Sequence, residues 1–244
     1  MLKIEKTYRK FYKGEDIIVE RKQEGQTWHQ TVEYVENAVT NNQISNRAVV
    51  IGNSPSRLEF NLQHLKTPSG LLGANTVQTY GCNALYRDFT PDFLVAQGRG
   101  IIEELSKSEF IKNNIVYTGP IHLLEYPNKF YLIPHNPYAD SGTTAAHIAA
   151  FDGHKKIYLI GFDEQDAPGI NFNVYAGTNG YGAIESDVGS HSWVQNRKQL
   201  FDLYDDVDFV WVTLSGRSTM PEIHKYCTNL RQISYRAFVL ETDL

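Results

Sequence analysis

Seven short runs rich in β-branched and aromatic residues punctuate this chain: "RAVVIG", "TVQTYG", "PDFLVAQ", "NIVYTG", "KFYLIP", "KIYLIGFD" and "DFVWVTL". Each is four to eight residues long, bounded by turn residues, and separated from the next by segments of helical spacing. A run that is apolar throughout, rather than at alternate positions, must be covered on both faces. That is the condition of strands in a largely parallel sheet. The pattern therefore predicts an α/β, Rossmann-like fold, a twisted sheet with helices on both faces. Helices are expected over Pro55 to Leu65, Gly100 to Phe110, Ser141 to Gly153 and His191 to Tyr204.

Ahead of the first run, "EDIIVERK" reads as a short strand. "TWHQTVEYVENAVTNN" reads as a helix, with Trp28, Val32, Val35 and Val39 at helical spacing. The expected organisation is a strand/helix extension over residues 1–45 and a Rossmann-like domain over 46–244. At 244 residues, 41% of them hydrophobic, the chain can bury a sizeable core.

Charge and cysteine usage narrow the partners. A net charge of -5 gives no bulk attraction to nucleic acid or to anionic membrane, so any phosphate recognition must be local. No run approaches the roughly 20 apolar residues a membrane span needs. Two cysteines, Cys82 and Cys227, are too few for a disulfide framework and lack the paired spacing of a zinc site, which fits a reduced cytoplasmic setting.

In an open α/β sheet, ligands sit beyond the carboxyl ends of the strands, where helix N-termini offer unpaired N–H groups. "GNSPS" stands at such an end. Gly52 permits close backbone approach, Asn53 and Ser54 supply short polar groups, and Pro55 with Ser56 can open a helix. Two readings stand side by side: a docking turn for phosphate or ribose, and an ordinary capped strand-to-helix turn. The turn matches neither GxGxxG nor the P-loop. Three further polar groups share the position: Cys82 and Asn83 after one strand, Asp140 to Thr144 at a helix start, and Asp163 after another strand. Taken singly these are caps and turn carboxylates; taken together they can line one crevice. His135, His147, His154 and His224 are scattered singly, as surface or satisfied core residues are. The Gly- and Asn-rich stretch from Glu164 to Ser190 has the character of a binding loop.

The order "GNSPS", "CN", "SGTTAAHIAAFDGHKKIYLIGFD", a tyrosine-bearing loop and a later histidine resembles the bacterial sialyltransferases that use CMP-activated sialic acid. The resemblance covers about Arg47 to Tyr204. It implies a nucleotide site built from Gly52, Asn53, Ser54, Pro55, Ser56, Asn83, Ser141, Gly142 and Thr143, with Asp163 adjacent. It implies further that Tyr175 and Tyr181 meet the leaving phosphate and that His191, in "GSHSW", is the base. The expected partners are a nucleotide-sugar donor and a glycan or small-molecule acceptor, in a chain that can form a homo-oligomer, with no cofactor or metal required. The chain departs from the family where "NPYADSG" replaces an arginine-bearing "R-x-T-S-G". That leaves Arg87, Arg99 or a helix N-terminus to meet an acidic sugar. The same turn and "GxD" strand also resemble the MptE-like pterin diphosphokinases. On that alternative Asp163, Glu164 and Asp166 hold Mg²⁺ beside ATP. A non-catalytic nucleotide-binding module is the third reading.

Overall fold

A computed structural model describes residues 3–10, 15–24, 26–36, 47–66, 77–163, 173–182, 190–213 and 220–244. Two sheets are present among them. The first is an antiparallel meander of β1 (Lys3–Lys10), β2 (Glu15–Glu24) and β3 (Thr27–Glu36). Here the expected helix is corrected, because Thr27 to Glu36 pairs with β2 residue by residue, from Thr27 opposite Glu24 to Glu36 opposite Glu15. The spacing of Trp28, Val32 and Val35 suits a helix, yet the segment also carries Thr27, Thr31 and Tyr34. Such β-branched and aromatic residues favour the pleated surface once a partner strand is at hand. Val39 and the expected boundary after residue 45 lie outside the described residues.

The second sheet has eight strands: β4 (Arg47–Ile51), β5 (Gln78–Cys82), β6 (Phe93–Val95), β7 (Ile115–Thr118), β8 (Tyr131–Leu132), β9 (Lys156–Ile160), β10 (Asp208–Thr213) and β11 (Leu230–Ser234). Their order is β11-β10-β9-β4-β5-β6-β7-β8, and every neighbouring pair is parallel. All seven apolar runs became strands of this sheet. Residues Gln78 to Cys82 are buried in succession, as are Ala48 to Ile51, and successive strand residues point to opposite faces. Both faces are therefore covered, and the expected Rossmann-like α/β architecture is the one observed. Full burial of Val49, Val50 and Ile51 contributes about 1.5–3 kcal/mol each.

The helices are α1 (Arg99–Lys107), α2 (Phe110–Asn113), α3 (Pro120–Glu125), α4 (Ser141–Phe151), α5 (Ser190–Leu203) and α6 (Tyr235–Thr242). Helix α4 lies against β4, β5, β6 and β9, and every residue from Ser141 to Ala150 is buried. Its run of Gly142, Ala145, Ala146, Ala149 and Ala150 is what lets a helix approach a sheet so closely. The helix expected over Pro55 to Leu65 is instead two 3-10 turns, Pro55–Glu59 and Leu62–Lys66. Asn61 interrupts them, its side-chain oxygen accepting the Gln63 N–H at 3.1 Å in a local turn that competes with helix. The chain closes with β11 and α6, the latter capped by the Ser234 side chain. Among the described residues no helix is long and apolar enough to cross a membrane.

Candidate active site at the strand ends

From β4 the chain builds outward to β8, then returns to place β9 on the other side of β4. The direction of winding reverses between β4 and β9. In open α/β sheets such a switch point, just beyond the carboxyl ends of the two strands, is where a ligand crevice forms.

The two ends are joined by backbone. The Gly52 N–H donates to Ile160 O at 2.8 Å and the Ser54 N–H to Gly161 O at 3.1 Å. A Cβ on Gly52 would stand 2.2 Å from Gly161 O, so glycine here serves strand packing first. Gly161 itself has φ +71°, the left-handed region that favours glycine. The turn is capped from outside. The Asp163 carboxylate accepts the Ser56 N–H at 3.0 Å, while Ser54 turns its hydroxyl to Asp163 O at 3.3 Å and leaves its own turn uncapped. Tyr235 of α6 braces the turn from behind, donating to Ser56 O at 3.1 Å, and its ring stacks on Phe60 with centroids 5.6 Å apart.

On the other flank Asn83 follows β5 with φ 46°, a left-handed conformation that asparagine tolerates better than most residues. Its side-chain oxygen accepts the Gln97 N–H at 3.2 Å and the Ser141 hydroxyl at 3.1 Å. The start of α4 divides its work. Asp140 caps the helix by accepting the Thr143 N–H at 3.0 Å and its hydroxyl at 2.5 Å, so Thr143 is spent on the cap. Gly142 lies under the Phe162 ring, and Ser141 faces Asn83 and Gln97.

Residues 173–182 cross these ends and bring in both tyrosines, their rings stacked at 6.0 Å. Tyr175 donates to Asp88 Oδ1 at 2.7 Å and accepts from Arg57 at 2.7 Å. Burial is the main cause that holds its phenol well above the ordinary range. With its proton given to Asp88, Tyr175 holds this segment in place. Tyr181 differs. It accepts from Asn53 Nδ2 at 3.4 Å, and no hydrogen bond among the described residues takes its proton. Burial pushes it up to about 12, which keeps it a neutral donor near pH 7. Asn53 also donates to Cys82 O at 3.2 Å.

His191 stands in the first turn of α5, its side chain lying outside the described part. The helix behind it is anchored. The buried His224 ring bonds Val194 O at 2.9 Å, and Arg197 donates to Phe162 O at 3.3 Å with its guanidinium over the Trp211 ring. Glu164 and Asp166 lie outside the described residues, among which no group of three His, Cys, Asp or Glu side chains could hold a metal.

The ten expected nucleotide-site residues and both tyrosines thus gather at the ends of β4, β5 and β9 and the start of α4. Three polar atoms in this ring are buried without a hydrogen-bond partner: Asn53 Oδ1, Ser56 Oγ and Asp163 Oδ1. Buried polar atoms seldom stay orphaned without reason, and three around one crevice are what a polar ligand would satisfy. Sequence reasoning missed Arg57, Asp88 and Gln97. Arg57 directly follows "GNSPS", but nothing in that spacing announces a buried cation. Arg87 proves committed, forked onto Glu104 at 2.6 and 2.9 Å and donating to Thr178 and Asn179 O; Arg99 is exposed at the start of α1. His147, His154 and His224 are buried and hydrogen-bonded, as expected of core histidines. A polar cleft of about 810 Å³ lies elsewhere, near the amino ends of β7 and β8, and no residue of the crevice lines it.

No family model matches the chain, and no curated protein matches it. Among solved structures it is similar to the monofunctional alpha-2,3-sialyltransferase Cst-I from Campylobacter jejuni, at 14% identity over 80% of this chain and 84% of that one, with a TM-score of 0.49. It is similar also to the sialyltransferase CstII from Campylobacter jejuni in complex with cytidine-5'-monophosphate, at 14% identity over 75% and 85% of the two chains, TM-score 0.42. A variant of CST-II with CMP matches at 12% identity over 68% and 81%, TM-score 0.46.

Proposed function

We propose that this chain is a glycosyltransferase of the sialyltransferase kind, moving a sugar from a CMP-type donor to an acceptor hydroxyl. The observation that carries the reading is the set of buried, unpartnered acceptors, Asn53 Oδ1 and Ser56 Oγ, at the β4/β9 switch point. These lie within the turn whose sequence resembles that family. Asn53, Ser56, Asn83 and Ser141 would hold the nucleotide.

In such a transfer the bond between the anomeric carbon and the phosphate oxygen breaks, its electron pair leaving with CMP, as the acceptor oxygen bonds to the same carbon. Tyr181 would donate a hydrogen bond to the phosphate oxygen as charge builds on it. His191 would take the acceptor's proton, a role that suits an imidazole neutral near pH 7. With two strand ends, a helix N-terminus and the tyrosines around it, the site would have to keep out the water that would otherwise consume the donor.

A thermal-shift screen with CMP, CDP, UDP, GDP, ADP and ATP, each with and without Mg²⁺, tests the assignment. A nucleotide at about 100 times its Kd adds about 2.7 kcal/mol. Metal-independent stabilisation by CMP or CDP, lost in Asn53→Ala, supports it; release of sugar from a CMP-sugar, abolished in His191→Ala, would complete it. Stabilisation by ATP and Mg²⁺ alone would favour diphosphoryl transfer, for which the unpartnered Asp163 Oδ1 would supply one metal ligand. No response to any nucleotide would refute both.

A further inference from the structure

The segment 173–182 is tied down at two separate points. At the first, Arg57 donates to Asp88 Oδ2 at 2.9 Å and to the Tyr175 hydroxyl at 2.7 Å, and Tyr175 donates to Asp88 Oδ1 at 2.7 Å, closing a ring of three side chains. At the second, Arg87, steadied by Glu104, donates to Thr178 Oγ1 and to Asn179 O, each at 2.8 Å. Between them the Val174 N–H donates to Asn53 O at 2.9 Å, within the turn itself.

Arg57 is the unexpected member. Its side chain is 2% exposed, whereas its one carboxylate partner among the described residues, Asp88, is 46% exposed. Desolvating a guanidinium against a half-exposed carboxylate stabilises little, and an apolar side chain of similar volume would serve the core as well. What an apolar side chain would not do is fix the Tyr175 hydroxyl, and through the stacked rings the place of Tyr181.

We infer that Arg57 and Asp88 are positioning residues, holding the tyrosine segment across the strand ends so that Tyr181 stands against Asn53 before any ligand arrives. The inference rests on the reading above where it takes this crevice for the nucleotide site. The order of the segment is independent of that reading.

Hydrogen exchange on the full chain without ligand tests it. Tyr175→Phe removes the hydroxyl and keeps the stacked ring; Asp88→Asn removes the charge. Exchange of the Val174, Ala176 and Thr178 amides should quicken about tenfold in both variants, while β9 and β10 stay protected. Arg57→Met should do the same without lowering global stability; should it fail to fold, the other two variants decide. CMP titration then separates positioning from mere destabilisation. Tyr175→Phe should weaken CMP about tenfold, whereas Val210→Ala, a destabilising change in the distant core, should leave CMP affinity and segment exchange as they were. Unchanged exchange in Tyr175→Phe and Asp88→Asn overturns the inference whatever CMP does. A wild-type chain that binds no CMP while the exchange result stands refutes the nucleotide reading and upholds the positioning of the segment.

Discussion

Replacing Gly52 by alanine puts the junction of β4 and β9 to the test. The added carbon would stand 2.2 Å from Gly161 O, 3.0 Å from Gly161 C and 3.2 Å from Phe162 Cδ2. Gly161 has no room to yield, since its own Cβ position is 2.9 Å from Gly52 O. Ordinary contact begins near 3.4 Å, so the two strand ends must part by more than 1 Å. Such a shift breaks the 2.8 Å bond from the Gly52 N–H and the 3.1 Å bond from the Ser54 N–H. Two hydrogen bonds at about 1 kcal/mol each, with about 1–3 kcal/mol of overpacking, give a cost of about 3–5 kcal/mol. Urea unfolding followed by circular dichroism measures it directly. Gly119→Ala is the control, because nothing lies within 4 Å of its added carbon. A Gly52→Ala protein within about 1 kcal/mol of wild type would refute the steric reasoning. If that stable protein had also lost nucleotide binding, the glycine would be there for the ligand's approach and not for the sheet.

Three further outcomes can be measured. Burial pulls His224 from 6.5 to about 4, so the unfolded chain takes up that proton first; stability from this group is full above pH 6.5 and falls by roughly 3 kcal/mol as pH drops toward 4. Unfolding free energies from pH 7 to 4.5 should show this slope and His224→Gln should flatten it; equal slopes would refute it. Tyr235→Phe should cost about 1 kcal/mol through the lost bond to Ser56 O, read by urea unfolding, with no change if α6 does not brace the turn. Burial pushes the Cys82 thiol up to about 12, so a maleimide should label it only as the chain unfolds; rapid labelling of the folded protein would contradict its packing.

What the sequence disclosed depended on whether local chemistry decided the outcome. The strand at Ala48 to Ile51 was legible because a run without polar residues can only be buried on both sides. The gathering of Asn53, Asn83, Ser141 and Asp163 was legible because each ends a strand or starts a helix. Segment Thr27 to Glu36 was not, since Trp28, Val32 and Val35 fit a helical stripe and only pairing with β2 selects the strand. The clamp of Arg57, Asp88 and Tyr175 was hidden for a related reason. Its members are 31 and 118 residues apart from Arg57, and nothing local to an arginine after a turn says that it is buried. Asp163 capping a turn 107 residues upstream is the same kind of event.

Because β4 lies between β5 and β9, the chain needs about a hundred further residues of synthesis after Ile51 before β9 exists to pair with it. Until then β4 presents a bare edge, apolar from Ala48 to Ile51, the sort of edge that joins other chains. The crevice does not exist in any nascent fragment that lacks β9, so no ligand can rescue such an intermediate by binding it. Aggregation during expression should thus depend on how fast residues 156–160 reach their place.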